Sequence, residues 1–255
     1  MSDGRTKEFE GKAVLVTGAA SGMARAVALA FAREGAALAL LDYDAEGVAA
    51  TASEAEKIGV KAIAITADLA DAGACAGHIA RAVEALGGLD ALCNVAGMCR
   101  FDHAADITQE VWDRVFAVNV RAPFFLIQAA LPHLLERQGA VVNVASASAF
   151  RGTAYLTHYA ASKAALVSMT KTLAMEYTAS PIRINAVAPG GINSAMGATM
   201  RMPEGADVNL IARYSGLRGV SQPEDLADVV LMLAGPRGRA FHGVCINADQ
   251  GVTAG

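Results

Sequence analysis

A tyrosine and a lysine stand four positions apart, at Tyr159 and Lys163, inside the alanine-rich run HYAASKAAL of residues 158–166. On a helix that spacing is about one turn, so a phenol and an ammonium share one face. The alanines let such a helix pack closely against another element. A positive charge beside a phenol favours the phenolate. By itself the pair is a weak signal, and it needs a cofactor and a substrate beside it.

A second stretch supplies the cofactor signal. TGAASGMA, from Thr17 to Ala24, lies between a short apolar run and a segment of helical periodicity. Gly18 and Gly22 permit a tight strand-to-helix turn. That turn brings backbone N–H groups, those of Ser21 and Met23 among them, and a helix N-terminus close to a pyrophosphate. Asp42 closes the next apolar run, 20 residues after Gly22. That is where an acidic side chain is expected to hold an adenosine ribose.

The elements that must position these residues alternate. Strands read at about 13–17, 37–42, 60–66, 89–93, 139–145, 182–187 and 243–247. Helices read at about 22–34, 45–57, 71–87, 108–136, 157–178 and 223–234, and Pro123 is expected to bend or interrupt the longest. Near-continuous apolar strands alternating with helices imply an α/β fold, a doubly wound parallel sheet of about seven strands with helices on both faces. Ligands of such sheets bind beyond the carboxyl ends of the strands. The unusual polar residues fall there. The glycine loop follows strand one, Asp42 ends strand two, and Asp68-Leu69 follows strand three. NVAG (Asn94, Val95, Ala96, Gly97), SAS (Ser146 to Ser148) and PGG (Pro189, Gly190, Gly191) follow strands four, five and six. Any one of these is compatible with a turn; all six on one rim make a site. The chain reads as one domain over residues 1–255, and the Gly-, Met- and Ser-rich segment 190–222 reads as a substrate lid.

Composition narrows the classes. The 255 residues are 54% apolar and 18% charged, enough for a substantial core. A net charge of −4 without a basic run argues against a nucleic-acid partner. The polar N-terminus is followed by no signal-like apolar stretch, and no window approaches 18 uninterrupted apolar residues, so no membrane association is expected. Cys75, Cys93, Cys99 and Cys245 form no CxxC pair, and His78, His103, His133 and His242 are scattered. The expectation is a reduced, cytoplasmic protein without a metal site.

With these residues in place, the chain resembles the short-chain dehydrogenase/reductase family of single-domain proteins, nearly end to end. The family's TGxxxGxG is matched by Thr17-Gly18 and Gly22, with Ala24 where the last glycine is usual. Its NNAG is matched by Asn94 to Gly97 with Val95 for the second asparagine, its YxxxK by Tyr159 and Lys163, and its PGxIxT by Pro189, Gly190, Ile192 and Ser194. The resemblance implies a catalytic set of Asn119, Ser146, Tyr159 and Lys163. In it Tyr159 is the acid/base and Ser146 orients the substrate oxygen. Lys163 shifts the phenol and reaches a ribose, and Asn119 supports a proton path. A shift of roughly three units from pH ~10 corresponds to about 4 kcal/mol, which one ammonium at ~4 Å supplies at an effective dielectric near 20. Ser148 and Tyr155 are further candidates for touching substrate, and His158 reads as a neighbour of the tyrosine.

The leading expectation is an NAD(H)-dependent enzyme that interconverts a secondary alcohol and a ketone. An NADP(H)-dependent reductase of the 3-oxoacyl type and a dinucleotide-sensing protein without turnover are the alternatives. NAD is expected over NADP because Asp42 would face a 2′-phosphate with Ser21 and Tyr43, not a cation, beside it. A polyol, a cyclic alcohol, a steroid-like alcohol and a hydroxy acid all remain open as substrates. The resemblance also implies a homotetramer, packed through the apolar stretches at 122–131 and 164–175.

Overall fold

The computed structural model describes residues 7–194, 200–214, 216 and 218–254. Seven strands, β1 (Ala13–Thr17), β2 (Ala37–Asp42), β3 (Ala62–Thr66), β4 (Ala91–Asn94), β5 (Ala140–Val144), β6 (Arg183–Pro189) and β7 (Cys245–Ala248), form one sheet in the order β3-β2-β1-β4-β5-β6-β7. Every pairing is parallel. Strand order reverses between β1 and β4, which opens a crevice at their carboxyl ends. The register Thr17↔Leu41, Asp42↔Thr66 and Asn94↔Asn143 keeps those ends level, so the predicted rim exists.

Eight α-helices cover the sheet among the described residues. They are α1 (Gly22–Arg33), α2 (Ala45–Ile58), α3 (Cys75–Leu86), α4 (Gln109–Phe116), α5 (Ala122–Glu136), α6 (Thr157–Glu176), α7 (Val208–Ala212) and α8 (Pro223–Ala234). Strand residues alternate between two buried layers, as period-two geometry requires. Val14, Val16, Leu38 and Leu40 pack with α1, α2 and α8, while Leu15, Ala39, Leu41 and Val141 pack with α3, α5 and α6. Both faces are apolar, which is why the strands read as unbroken apolar runs.

Boundaries differ where turn chemistry intervenes. The third strand begins at Ala62 and not at 60, because Gly59 at φ +105° caps α2 and Val60 still donates to Ala55. The helix expected at 71–87 opens as a short 3-10 turn at Ala72–Ala74 with Asp71 capping Gly73, and α3 proper starts at Cys75.

The long helix is interrupted, but ahead of Pro123. A π-helical turn spans Ala117–Arg121, in which Ala122 donates to Ala117 five residues back. Pro123 has no N–H to offer the carbonyl of Asn119, four residues earlier, and its ring crowds that carbonyl. The backbone answers with a wider turn centred on Asn119, a device common at functional sites. By length and composition the continuous stretch Gln109–Glu136 could cross a membrane. It is instead a core helix here, with Leu126, Ile127, Ala130 and Leu134 buried against the sheet.

Within the segment 190–222, a bridge between Ile192 and Ser221 ties the two ends together and α7 forms in between. The parts of the expected lid at 195–199, 215 and 217 lie outside the described residues.

Candidate active site

The glycine loop has the conformation its residues permit. Gly18 (φ +78°) and Gly22 (φ +55°) both occupy the left-handed region. A methyl on Gly18 would come within 2.9 Å of Ala96 Cα, so only glycine lets β1 turn this close to the segment after β4. Ala24 is buried in the core and α1 forms around its extra methyl. Ser21 takes the N-cap position of α1 without a side-chain cap bond, leaving first-turn N–H groups of this helix to be met from outside the helix. An anionic pyrophosphate fits such an end. Met23, two residues after Ser21, is buried. Ser194 belongs to the same corner, its Cβ 3.6 Å from where a Gly22 methyl would stand. Gly190 holds that segment down, since a methyl there would meet the Asp249 carbonyl at 2.8 Å.

Asp42 is 7% exposed, its oxygens accepting from Ala20 N at 2.9 Å and Asp44 N at 3.0 Å. A carboxylate has about four lone-pair sites, so two remain for a pair of ribose hydroxyls. Ser21 and Tyr43, its neighbours on the rim, are exposed and uncharged.

Thr17 and Asn94, both expected to touch cofactor, are 1% and 2% exposed, and their side chains bond within the protein. Thr17 Oγ1 accepts from Val95 N and Ala96 N at 3.0 and 3.1 Å, and Asn94 Nδ2 donates to Asn143 Oδ1 at 2.9 Å. They build the rim by tying β1, β4 and β5 together. Asp68 is exposed, accepts from Ala70 N and pairs with Arg114 at 3.3 Å, while Leu69 is buried.

The catalytic candidates converge around Gly97. A methyl there would lie 3.2 Å from Lys163 Nζ and 3.5 Å from Asn119 Oδ1, so glycine leaves room for both. Asn119, wholly buried on the π turn, pairs with Met98 through both ends of its amide, at 2.8 and 2.9 Å, and also donates to Ser162 Oγ. Ser162 donates in turn to the carbonyl of Tyr159 at 2.7 Å. Lys163 donates to the Val144 carbonyl at 2.7 Å and stands over the Tyr159 ring, 5.8 Å from its centre. Ser146 donates to Ser148 Oγ at 3.2 Å and accepts from Ser148 N at 3.2 Å, and its hydroxyl pulls the acidity of the Tyr159 phenol toward the ionised form. Ser148 thereby belongs to the same polar strip. Tyr155, at φ +66°, instead turns its hydroxyl to accept from Asp207 N at 2.9 Å and so binds the 190–222 segment.

Electrostatics correct one expectation. The phenol of Tyr159 was expected to be shifted down, and it is shifted up, first by burial, then by Cys99, with the Ser146 hydrogen bond pulling the other way. The physical reason is that burial strips the phenol of water and so penalises its charged form. Burial also pushes Lys163 down to about 8, opposed by Cys99. The Cys99 thiol is driven up to about 12 by burial and so stays protonated.

Sequence reasoning missed how the segment after Gly97 is held. The Met98–Asn119 pairing, the place of Cys99 beside both Tyr159 and Lys163, and the role of Ser162 leave no motif. Polar residues one turn apart on the YxxxK helix were the only available hint.

Residues 12–205 match the family model described as short chain dehydrogenase. The 3-oxoacyl-[acyl-carrier-protein] reductase of Thermotoga maritima is 36% identical over 245 residues, covering 96% of this chain and 98% of its own. A short chain dehydrogenase from Burkholderia cenocepacia, solved with NADP, superposes with a TM-score of 0.88 at 35% identity, covering 96% of this chain and 99% of that one. A 3-ketoacyl-(acyl-carrier-protein) reductase from Brucella melitensis, solved with NADH, gives a TM-score of 0.86 at 31% identity over the same shares.

Proposed function

The chain belongs to the short-chain dehydrogenase family, and from that premise we propose that it works with NAD(H), with Tyr159 as the acid/base of the reaction. The protein is an oxidoreductase that binds a dinucleotide and interconverts an alcohol and a ketone by hydride transfer. The observation that carries the roles is the convergence of Asn119, Ser146, Tyr159 and Lys163 beside Gly97 at the carboxyl ends of β4 and β5.

The nicotinamide, when bound, takes or gives the hydride. The protein's part is to handle the proton and the substrate oxygen. Ser146 donates to that oxygen and holds it beside the Tyr159 hydroxyl, stabilising charge as it develops. Tyr159 takes the alcohol proton, or returns it to the alkoxide in the reverse direction. The Lys163 ammonium stabilises the phenolate across 5.8 Å, measured to the ring centre. Asn119 fixes Met98, and through Ser162 the turn that bears Tyr159.

Asp42 supports NAD(H) over NADP(H), since a carboxylate accepts ribose hydroxyls and repels a 2′-phosphate. The solved relatives bind either cofactor, NADP in the Burkholderia structure and NADH in the Brucella one. Alternation of apolar residues with exposed Phe125 (37%) and Met175 (73%) on α5 and α6 supports a homotetramer with closed two-fold symmetry. Light scattering should give four 26.1 kDa chains at micromolar concentration, and a monomer would contradict the assembly. For function, a panel of secondary alcohols with NAD+ at about pH 8–9.5 should yield NADH from at least one class. Tight NADH binding with no turnover over the whole panel would favour a sensor instead.

A further inference from the structure

Directly before Tyr159, the ring of His158 is wholly enclosed, and neither of its nitrogens has a hydrogen-bond partner. Its Nε2 stands 3.4 Å from Oδ2 of Asp102, a carboxylate that is 7% exposed and whose Oδ2 also lacks a hydrogen bond. The other carboxylate oxygen accepts from Arg100 Nε at 2.8 Å, with a second guanidinium nitrogen at 2.8 Å. Asp102 N donates to the Tyr155 carbonyl at 2.9 Å, so backbone and side chain both link this segment to the start of α6.

Two buried polar atoms that face each other and nothing else form a mated pair, because each otherwise carries its full desolvation penalty. Their separation is about half an ångström longer than an ordinary N–H···O bond, a distance that a small settling of the segment closes. The proton state follows from the charges at hand. Arg100 and Asp102 neutralise each other, so a protonated ring would be a net buried charge. Burial accordingly lowers the basicity of His158, with Asp102 opposing and Arg100 assisting. A neutral ring can give Asp102 the one bond it lacks only from Nε2.

We propose that His158, as a neutral imidazole protonated on Nε2, is a positioning residue that donates to Asp102 and seats the segment 98–102 against the first turn of the helix that carries Tyr159. The segment is then pinned at both ends, at Met98 by Asn119 and at Asp102 by His158. Between the pins lie Cys99, a thiol kept protonated by burial, and Phe101, which stacks on Tyr214 of the 190–222 segment at 6.0 Å. Phe101 thus joins this segment to the 190–222 segment, read above as the substrate lid, and on that reading His158 acts on substrate fit and not on proton transfer. The proposal rests on the assignment of Tyr159 above.

The test combines spectroscopy with kinetics. In protein labelled with 15N-histidine, the resonance that disappears in His158→Gln belongs to His158. At pH ~7.5 it should show a neutral ring protonated on Nε2. An imidazolium, or a ring protonated on Nδ1, would overturn the proposal whatever the activity. With ethyl acetoacetate and NADH as the probe reaction, His158→Phe should raise KM for the ketoester by roughly tenfold while kcat and NADH affinity stay within about threefold. His158→Gln, whose amide still donates, should bring KM back to within about twofold of the parent. A merely structural histidine would lower thermal stability in both variants without a KM-selective change, and that result would also overturn the proposal. Should His158→Phe not fold, the spectrum and His158→Gln still decide. Should the parent not reduce the ketoester, that failure falls on the substrate reading, and the spectrum alone decides His158.

Discussion

The ammonium of Lys163 lies over the face of Tyr159, 5.8 Å from the ring centre, while donating to the Val144 carbonyl at 2.7 Å. The two groups act on each other through the field and not through a hydrogen bond. At about 6 Å and an effective dielectric near 20, the ammonium favours the phenolate by about 3 kcal/mol, roughly two pH units. Burial of the phenol pulls the other way, and the working acidity of Tyr159 is the balance of the two.

That balance depends on Lys163 holding its proton. Burial has pushed Lys163 down to about 8, so in the free protein its charge is present below that pH and lost above it. An anionic dinucleotide binds better to the charged form. The Kd for NADH, measured by fluorescence between about pH 6.5 and 9.5, should therefore weaken as pH rises through about 8. Lys163→Met should remove that slope along with most of the turnover. A flat Kd in the parent protein would mean that Lys163 does not titrate there.

Gly97 keeps Lys163 and Asn119 in place by leaving a gap. In Gly97→Ala the new methyl would stand 3.2 Å from Lys163 Nζ and 3.5 Å from Asn119 Oδ1. The flexible end of the lysine should yield, moving the ammonium off the phenol. We expect kcat/KM to fall at least tenfold while Tm drops by only a few degrees, roughly 1 kcal/mol. Kinetics within twofold of the parent would show that the position of the ammonium does not matter.

Cofactor choice is carried by Asp42 with Ser21 and Tyr43 beside it. Like charges at ~4 Å in a medium of effective dielectric about 20 cost on the order of 4 kcal/mol, and solvent at the rim reduces this to about 2–3. The parent should prefer NAD+ over NADP+ in kcat/KM by about thirty- to a hundredfold. Asp42→Ser combined with Tyr43→Arg should narrow or reverse the ratio. Equal kcat/KM for the two cofactors in the parent would remove Asp42 as the ribose ligand.

What could be read in the sequence was what is local. Gly18 and Gly22 demand a turn, Asp42 sits one strand further on, and Tyr159 and Lys163 are one helical turn apart, so type and spacing suffice. Direction across the fold was not legible. Thr17 and Asn94 are polar residues at the rim by any reading, yet each turns inward to tie strands together. His158 and Asp102 are distant in the chain and meet only because the segment after β4 folds onto α6. The interruption of the long helix was anticipated from Pro123, but its place at Asn119 depends on which carbonyl the proline leaves unserved. The acidity of Tyr159 was misjudged for a related reason, since proximity of charge is visible in a sequence and burial is not.

The most direct test of the account is Tyr159→Phe, which deletes the proton carrier and nearly nothing else. The account predicts that kcat falls by about 10²–10⁴-fold while NADH affinity stays within about twofold of the parent protein. A variant that kept more than about a tenth of kcat would contradict the assignment of Tyr159 as the acid/base.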